Sequence, residues 1–172
     1  LFSYPLIHSV NGNVMYVVEF VRDITERKQA EDKLKDSEKL FRETFHTHPD
    51  SITLSLVRDG QYVDVNEGFC KLSGYDRSEV LGTTVFELGI WNDPATRKYW
   101  LDTIKYNGYA NDLEAEFLTK QGNIKIGEVS GRVLEFKGEK YIVSVVRDVT
   151  EKVQAEKEKK KLQDQLFQSQ KM

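Results

Sequence analysis

The chain has 172 residues, 39% of them hydrophobic and 31% charged, with a formal net charge of −3. That balance offers no clustered basic face for a nucleic-acid partner, and a lone cysteine, Cys70, rules out an internal disulfide and fits a reducing, cytoplasmic setting. The longest apolar runs are too short for a membrane span or a signal peptide, so no membrane contact is expected of this stretch.

The chain begins with Leu, inside apolar sequence, and reads as an excerpt of a longer polypeptide. "YPLIHS" and "VMYVVEFV" flank "NGN", and Asn-Gly between β-rich runs predicts a hairpin. Composition then changes. Residues 26–45 hold no Gly or Pro, are dense in charge, and place Ala30, Leu34, Ser37, Phe41 and Phe45 on one helical stripe. So narrow a seam on a charged helix predicts packing along one line or a coiled coil, and Pro49 ends the segment.

"SITLSLV" and "QYVDVN", joined by Asp59-Gly60, predict two strands. Short helices are expected over 67–82, broken by Gly74 and Gly82. Asn92-Asp93-Pro94 predicts a helix start, with the helix running to Asn107-Gly108 and carrying Arg97, Trp100, Leu101 and Ile104 on one face. Strands over 112–119, 124–136 and 140–147, separated by Gln121-Gly122 and Lys137-Gly138, predict an antiparallel meander. Leu113, Ala115 and Phe117 share one face, as do Tyr141, Val143 and Val145. A second charged helix covers 150–172, with Ala155, Leu162, Leu166 and Ser169 near one seam. Five strands with helices grouped between the second and third predict an α+β domain on an antiparallel sheet.

One stretch is written twice, "VRDITERKQAE" from Val21 and "VRDVTEKVQAE" from Val146. Each copy joins a strand end to an outgoing charged helix. Aligned backwards, Tyr16 falls on Tyr141, Val18 on Val143 and Asp23 on Asp148. Residues 1–25 therefore read as the last hairpin of a preceding copy of the domain, 26–45 as a linker helix, 46–150 as the complete copy and 151–172 as an exit helix.

"FRETFHTHPDSITL", "YVDVNEGFCKLSGYDRSEVLG", the helix after "WNDP" and "VVRDVTEK", in this order, resemble the PAS sensory domain. The resemblance implies a five-stranded antiparallel sheet with helices over one face, flanked by long charged helices. It also implies sensing of a ligand, redox state or light, dimerisation through those helices, and an effector in the same polypeptide. "LQDQLFQSQKM" is similar to the coiled coil that precedes the phosphoacceptor helix of sensor histidine kinases, and diguanylate cyclases carry similar linkers.

The residues offer two candidate sites. At the exit junction, Asp148 or Thr150 can accept a hydrogen bond from an orphan helix N–H, Glu151 can return one, and Asp23 and Thr25 repeat the pattern. Such a cap, worth about 1 kcal/mol, either only starts the helix or also switches it; Glu128 and Arg147 are candidate partners. The chain departs here from many PAS relatives, which carry Trp where Ile126 stands. In the domain's interior, Phe69, Phe86, Trp91, Trp100 and Phe117, with Ile104 and Val143, are candidates to line a ligand pocket; the same aromatics also serve as plain core.

Other readings find less support. Cys70 lies outside the motif in which flavin-binding relatives carry their reactive cysteine, and a small core role suits it. His46 and His48 supply at most two metal ligands and read as exposed linker residues. No histidine lies between Glu67 and Lys152, which disfavours histidine-ligated haem. Neither a phosphate loop nor a nucleophile motif is present, so no catalysis is expected of the fragment. A sensory module is the leading reading, with a ligand-free dimerisation and relay element behind it.

Overall fold

Capping and turn residues set the boundaries of most elements. The computed structural model describes residues 3–10 and 13–169, with residues 3–21 described through their backbone. The expected Asn11-Gly12 turn and the Ser169 side chain lie outside the described residues. The chain divides into two units, Leu1–Glu43 and Thr44–Met172.

In the first unit, β1 (Ser3–Val10) and β2 (Asn13–Val21) form a two-stranded antiparallel sheet, with Ser3 opposite Val21 and Val10 opposite Asn13. Helix α1 (Thr25–Thr47) follows, its last four residues belonging to the second unit, and none of its side chains is buried.

The second unit contains β3 (Ser51–Leu56), β4 (Tyr62–Val65), α2 (Glu67–Ser73), α3 (Arg77–Val80), α4 (Val85–Leu88) and α5 (Pro94–Asn107). It continues with β5 (Tyr109–Leu118), β6 (Ile124–Phe136), β7 (Glu139–Asp148) and α6 (Thr150–Ser169). The strands pair in the order β4-β3-β7-β6-β5, antiparallel throughout. Because β4 and β5 are the two edges, α2 to α5 must cross one face of the sheet to connect them. The core forms between that face and these helices, with Val65, Phe69, Trp100, Ile104, Phe117 and Val129 among its members. This is the expected α+β architecture.

Local chemistry explains the helix starts. The Asp93 carboxylate accepts from the Ala95 and Thr96 amides at 3.0 and 2.9 Å, and Pro94 occupies the first turn of α5. Helix α4, absent from the expected elements, has its own capping box: the Thr84 hydroxyl accepts from the Glu87 amide, and Glu87 accepts from the Thr84 amide at 2.7 Å. Strand β5 begins at Tyr109 rather than 112, because its pairing with β6 shifts register between Ala110 and Leu113, where Asp112 takes a positive φ of 48°.

Two glycines in β6 shape the core. A Cβ on Gly131 would stand 2.7 Å from the Trp100 ring and 2.8 Å from Ile104 Cδ1. One on Gly127 would meet Val146 at 2.5 Å and the Phe117 ring at 2.9 Å. Both rings therefore lie almost directly on the strand backbone, which only glycine permits.

Asn66, buried at the end of β4, ties three segments together. Its Oδ1 accepts from Ile52 and Phe69 amides at 2.8 and 2.9 Å, while Nδ2 donates to the Asp50 and His48 carbonyls at 2.9 and 3.2 Å. His46 and His48 are half-buried rather than exposed, and His48 Nδ1 accepts from the Asp50 amide. Cys70 packs against the core, and burial, with Asp76 nearby, pushes its thiol pKa up, the opposite of an activated thiol.

Candidate functional site

The inward face of β3 is written in hydroxyls. Ser51, Thr53 and Ser55 point to the interior, each less than a tenth exposed, and Thr53 pairs with Ser144 of β7, which is also turned inward. An interior sheet face is normally apolar, and a hydroxyl taken out of water without a partner costs about 1–3 kcal/mol. Here these side chains border a cavity of about 270 Å³ between the sheet and helices α2, α4 and α5.

Helix α5 supplies the opposite wall through one face: Arg97, Trp100, Leu101 and Lys105. Aromatic rings close the interior. Trp91 packs on Trp100 and Phe117 at centroid distances of 5.5 and 5.0 Å, and Tyr62 on Phe69 at 5.7 Å. Trp100 Nε1 is buried and has no hydrogen-bond acceptor in the protein. At the rim the Arg97 guanidinium lies 3.9 Å from the centroid of Phe86.

Of the seven pocket candidates, five line this cavity: Phe69, Phe86, Trp91, Trp100 and Phe117. Phe86 does so from the rim, 71% exposed. Ile104 is fully buried behind Trp100 and packs in the core without lining the space. Val143 is on the wrong face. The inward residues of β7 are Ile142, Ser144 and Val146, and Val143 lies between them on the outer side. Tyr62 and the hydroxyl row were not anticipated; unbroken alternation of Ser/Thr with aliphatics in "SITLSL" is the signal that marks them.

The same strand that lines the cavity ends at the exit junction. Asp148 Oδ1 accepts from the Thr150 amide at 2.9 Å, and Oδ2 pairs with Lys125 at 3.1 Å. The Thr150 hydroxyl accepts from the Ile126 amide at 2.9 Å, and the Val149 amide donates to the Ile126 carbonyl at 2.9 Å. Thus Ile126 holds the junction through its backbone N–H and carbonyl, which any residue but proline can supply. Burial raises the Asp148 pKa, but the Thr150 and Lys125 contacts outweigh it and hold the carboxyl below its ordinary value.

The expected partners are arranged differently. Glu128 and Arg147 face each other across β6 and β7, and Arg147 Nε lies 3.6 Å from Asp50 Oδ2 rather than at Asp148. Glu151 returns no hydrogen bond to Asp148 among the described residues, so the reciprocal box does not form. A second hollow of about 220 Å³ flanks the junction; Ser51, Leu72 and Val146 border both spaces, and Asp148 borders this one. In the first unit, Asp23 Oδ1 accepts from the Thr25 amide at 2.9 Å, the same bond as in the second copy, and the Thr25 contacts lower the Asp23 pKa.

The seam residues Ala30, Leu34 and Phe41 on α1, and Ala155, Leu162 and Leu166 on α6, are all exposed. Among the described residues no helix is long and apolar enough to cross a membrane, and no three His, Cys, Asp or Glu side chains gather as a metal-ligating group.

A family model for the PAS domain matches residues 49–151. The methyl sulfide methyltransferase-associated sensor of Methanosarcina acetivorans is 33% identical over 76% of this chain. Sporulation kinase E of Bacillus subtilis is 26% identical over 92% of it. The matched stretches are 13% and 20% of those two proteins' lengths. The PAS domain of a HTR-like protein from Haloarcula marismortui superposes with a TM-score of 0.56 and 27% identity, covering 70% of this chain and 98% of that one.

Proposed function

The chain belongs to the PAS domain family, and on that premise we propose that its second unit detects a small ligand in the hydroxyl-lined cavity and passes the event along β7 into α6. The observation that carries this reading is the continuity of β7. Ser144 and Val146 line the cavity, and Asp148, at the end of the same strand, holds the first turn of the exit helix. A ligand that presses on Ser144 or Val146 acts two to four residues from the junction. A change of about 1 kcal/mol there shifts a two-state equilibrium roughly fivefold.

The output is proposed to be a histidine kinase in the same polypeptide, in line with the kinase and sensor names of the relatives. The fragment itself carries no catalysis in this scheme. The exposed leucines Leu34 on α1 and Leu162 on α6 suit dimerisation through the flanking helices.

The test is a thermal-unfolding screen of the purified chain against a broad set of small metabolites, with mass spectrometry of any co-purified molecule. At least one compound is expected to raise the melting temperature and change tryptophan emission. No stabilising compound and no co-purified molecule would leave the ligand-free relay as the better account.

A further inference from the structure

The cavity has a chemical sign. Trp100 Nε1 and the Arg97 guanidinium can only donate hydrogen bonds. The indole N–H is buried without a protein acceptor, and Arg97 is half-buried with no carboxylate in ion-pair reach among the described residues. Burial pushes the Arg97 pKa down, against the influence of neighbouring Tyr62, which marks a cation losing water without gaining an anion. The Tyr62 phenol is itself buried and shifted upward, so it stays a neutral O–H.

The carboxylates do not compensate. Among the described residues Asp59 is the one acid that borders the cavity, and it is already engaged by Arg58 at 3.2 Å and by the Gln61 amide at 3.0 Å. Lys105, on the same face of α5 as Arg97, borders the cavity but is exposed to solvent, so its charge is hydrated. A half-buried guanidinium without an ion pair, a buried donor and an aromatic interior select a ligand that brings lone pairs, negative charge and a compact apolar body.

Building on the ligand reading above, we propose that the cavity binds a small organic monocarboxylate. Its carboxylate meets Arg97 at the rim and its aryl or alkyl body lies between Trp91, Trp100 and Phe117. A volume of about 270 Å³ lies just below the usual range for ligand pockets and suits a compact ligand.

Isothermal titration calorimetry with benzoate and hexanoate, each beside its neutral amide and its primary amine, tests the assignment. At least one carboxylate should bind about tenfold more tightly than its amide, the scale of a charge-assisted contact, and the amines should bind weakest. Arg97→Gln should erase the carboxylate preference while leaving the melting temperature close to that of the wild type. Trp100→Phe should weaken the carboxylate and the amide alike. Should Arg97→Gln fail to fold, added salt supplies the second readout, weakening the wild-type affinity for the carboxylate and sparing the amide. An amide or amine that binds as tightly as its carboxylate, or a preference that survives Arg97→Gln or high salt, overturns the proposal. Binding by none of the six compounds overturns it as well, and the metabolite screen then decides separately whether the cavity takes a ligand of another class.

Discussion

The Thr150 hydroxyl accepts a hydrogen bond from the Ile126 amide at 2.9 Å, so the first residue of the exit helix is bonded into the strand whose glycines shape the core. Val149 completes the clasp by donating to the carbonyl of the same residue. Helix start and sheet are therefore one hydrogen-bonded unit.

Thr150→Val keeps the branched shape but removes the acceptor, leaving the Ile126 amide without its bond. Denaturant unfolding should show a loss of about 1–3 kcal/mol, and Thr150→Ser should recover most of it. A Val variant as stable as the wild type would mean that the hydroxyl does not hold the junction.

The Asp148 carboxyl gives the junction a pH dependence. Its pKa in the folded chain is below the ordinary 3.8, so its contribution is present above that value and is lost as pH falls through the folded one. The group is more than a third exposed, so the effect is small, below about 1 kcal/mol. Asn at this position still accepts from Thr150 but cannot pair with Lys125. The stability gap between wild type and Asp148→Asn should be widest near neutrality and close below about pH 4; a gap that stays constant into acid would show that ionisation plays no part.

Gly131→Ala places a methyl 2.7 Å from the Trp100 ring. Overpacking of this kind costs about 1–3 kcal/mol, and it should shift tryptophan emission as the ring is displaced toward the cavity. Unchanged emission and stability would contradict the close ring-to-backbone contact.

Much of the fold was legible because its signals are local. Asp93-Pro94 and Gly108 bracket α5, and Gln121-Gly122 and Lys137-Gly138 separate the last three strands. Val143 falls outside the pocket for a physical reason. Tyr141, Val143 and Val145 share one uninterrupted apolar face while Ser144 breaks the other, yet it is Ile142, Ser144 and Val146 that face inward. The same inversion occurs in β3, where Ile52 and Leu54 alternate with inward hydroxyls. Alternation assumes an apolar interior, and a polar-lined cavity violates that assumption. The roles of Ile126 and Asn66 were hidden because they rest on backbone groups and on contacts between distant segments.

Leu34 and Leu162 are 61% and 55% exposed. Under the proposed dimer, Leu34→Glu and Leu162→Glu should each reduce the mass measured by light scattering toward the monomer, and the double variant should do so fully. Wild-type mass in all three would remove the helices from the interface.

The coupling of cavity to helix is tested most directly by hydrogen exchange at the Val149, Thr150 and Val153 amides, which bond to Ile126, Asp148 and Val149. With the ligand selected by the thermal screen at saturation, exchange at these three positions should change by about fivefold or more, the kinetic image of a shift near 1 kcal/mol. A ligand that fills the cavity and quenches Trp100, yet leaves these amides exchanging as before, would contradict transmission through β7.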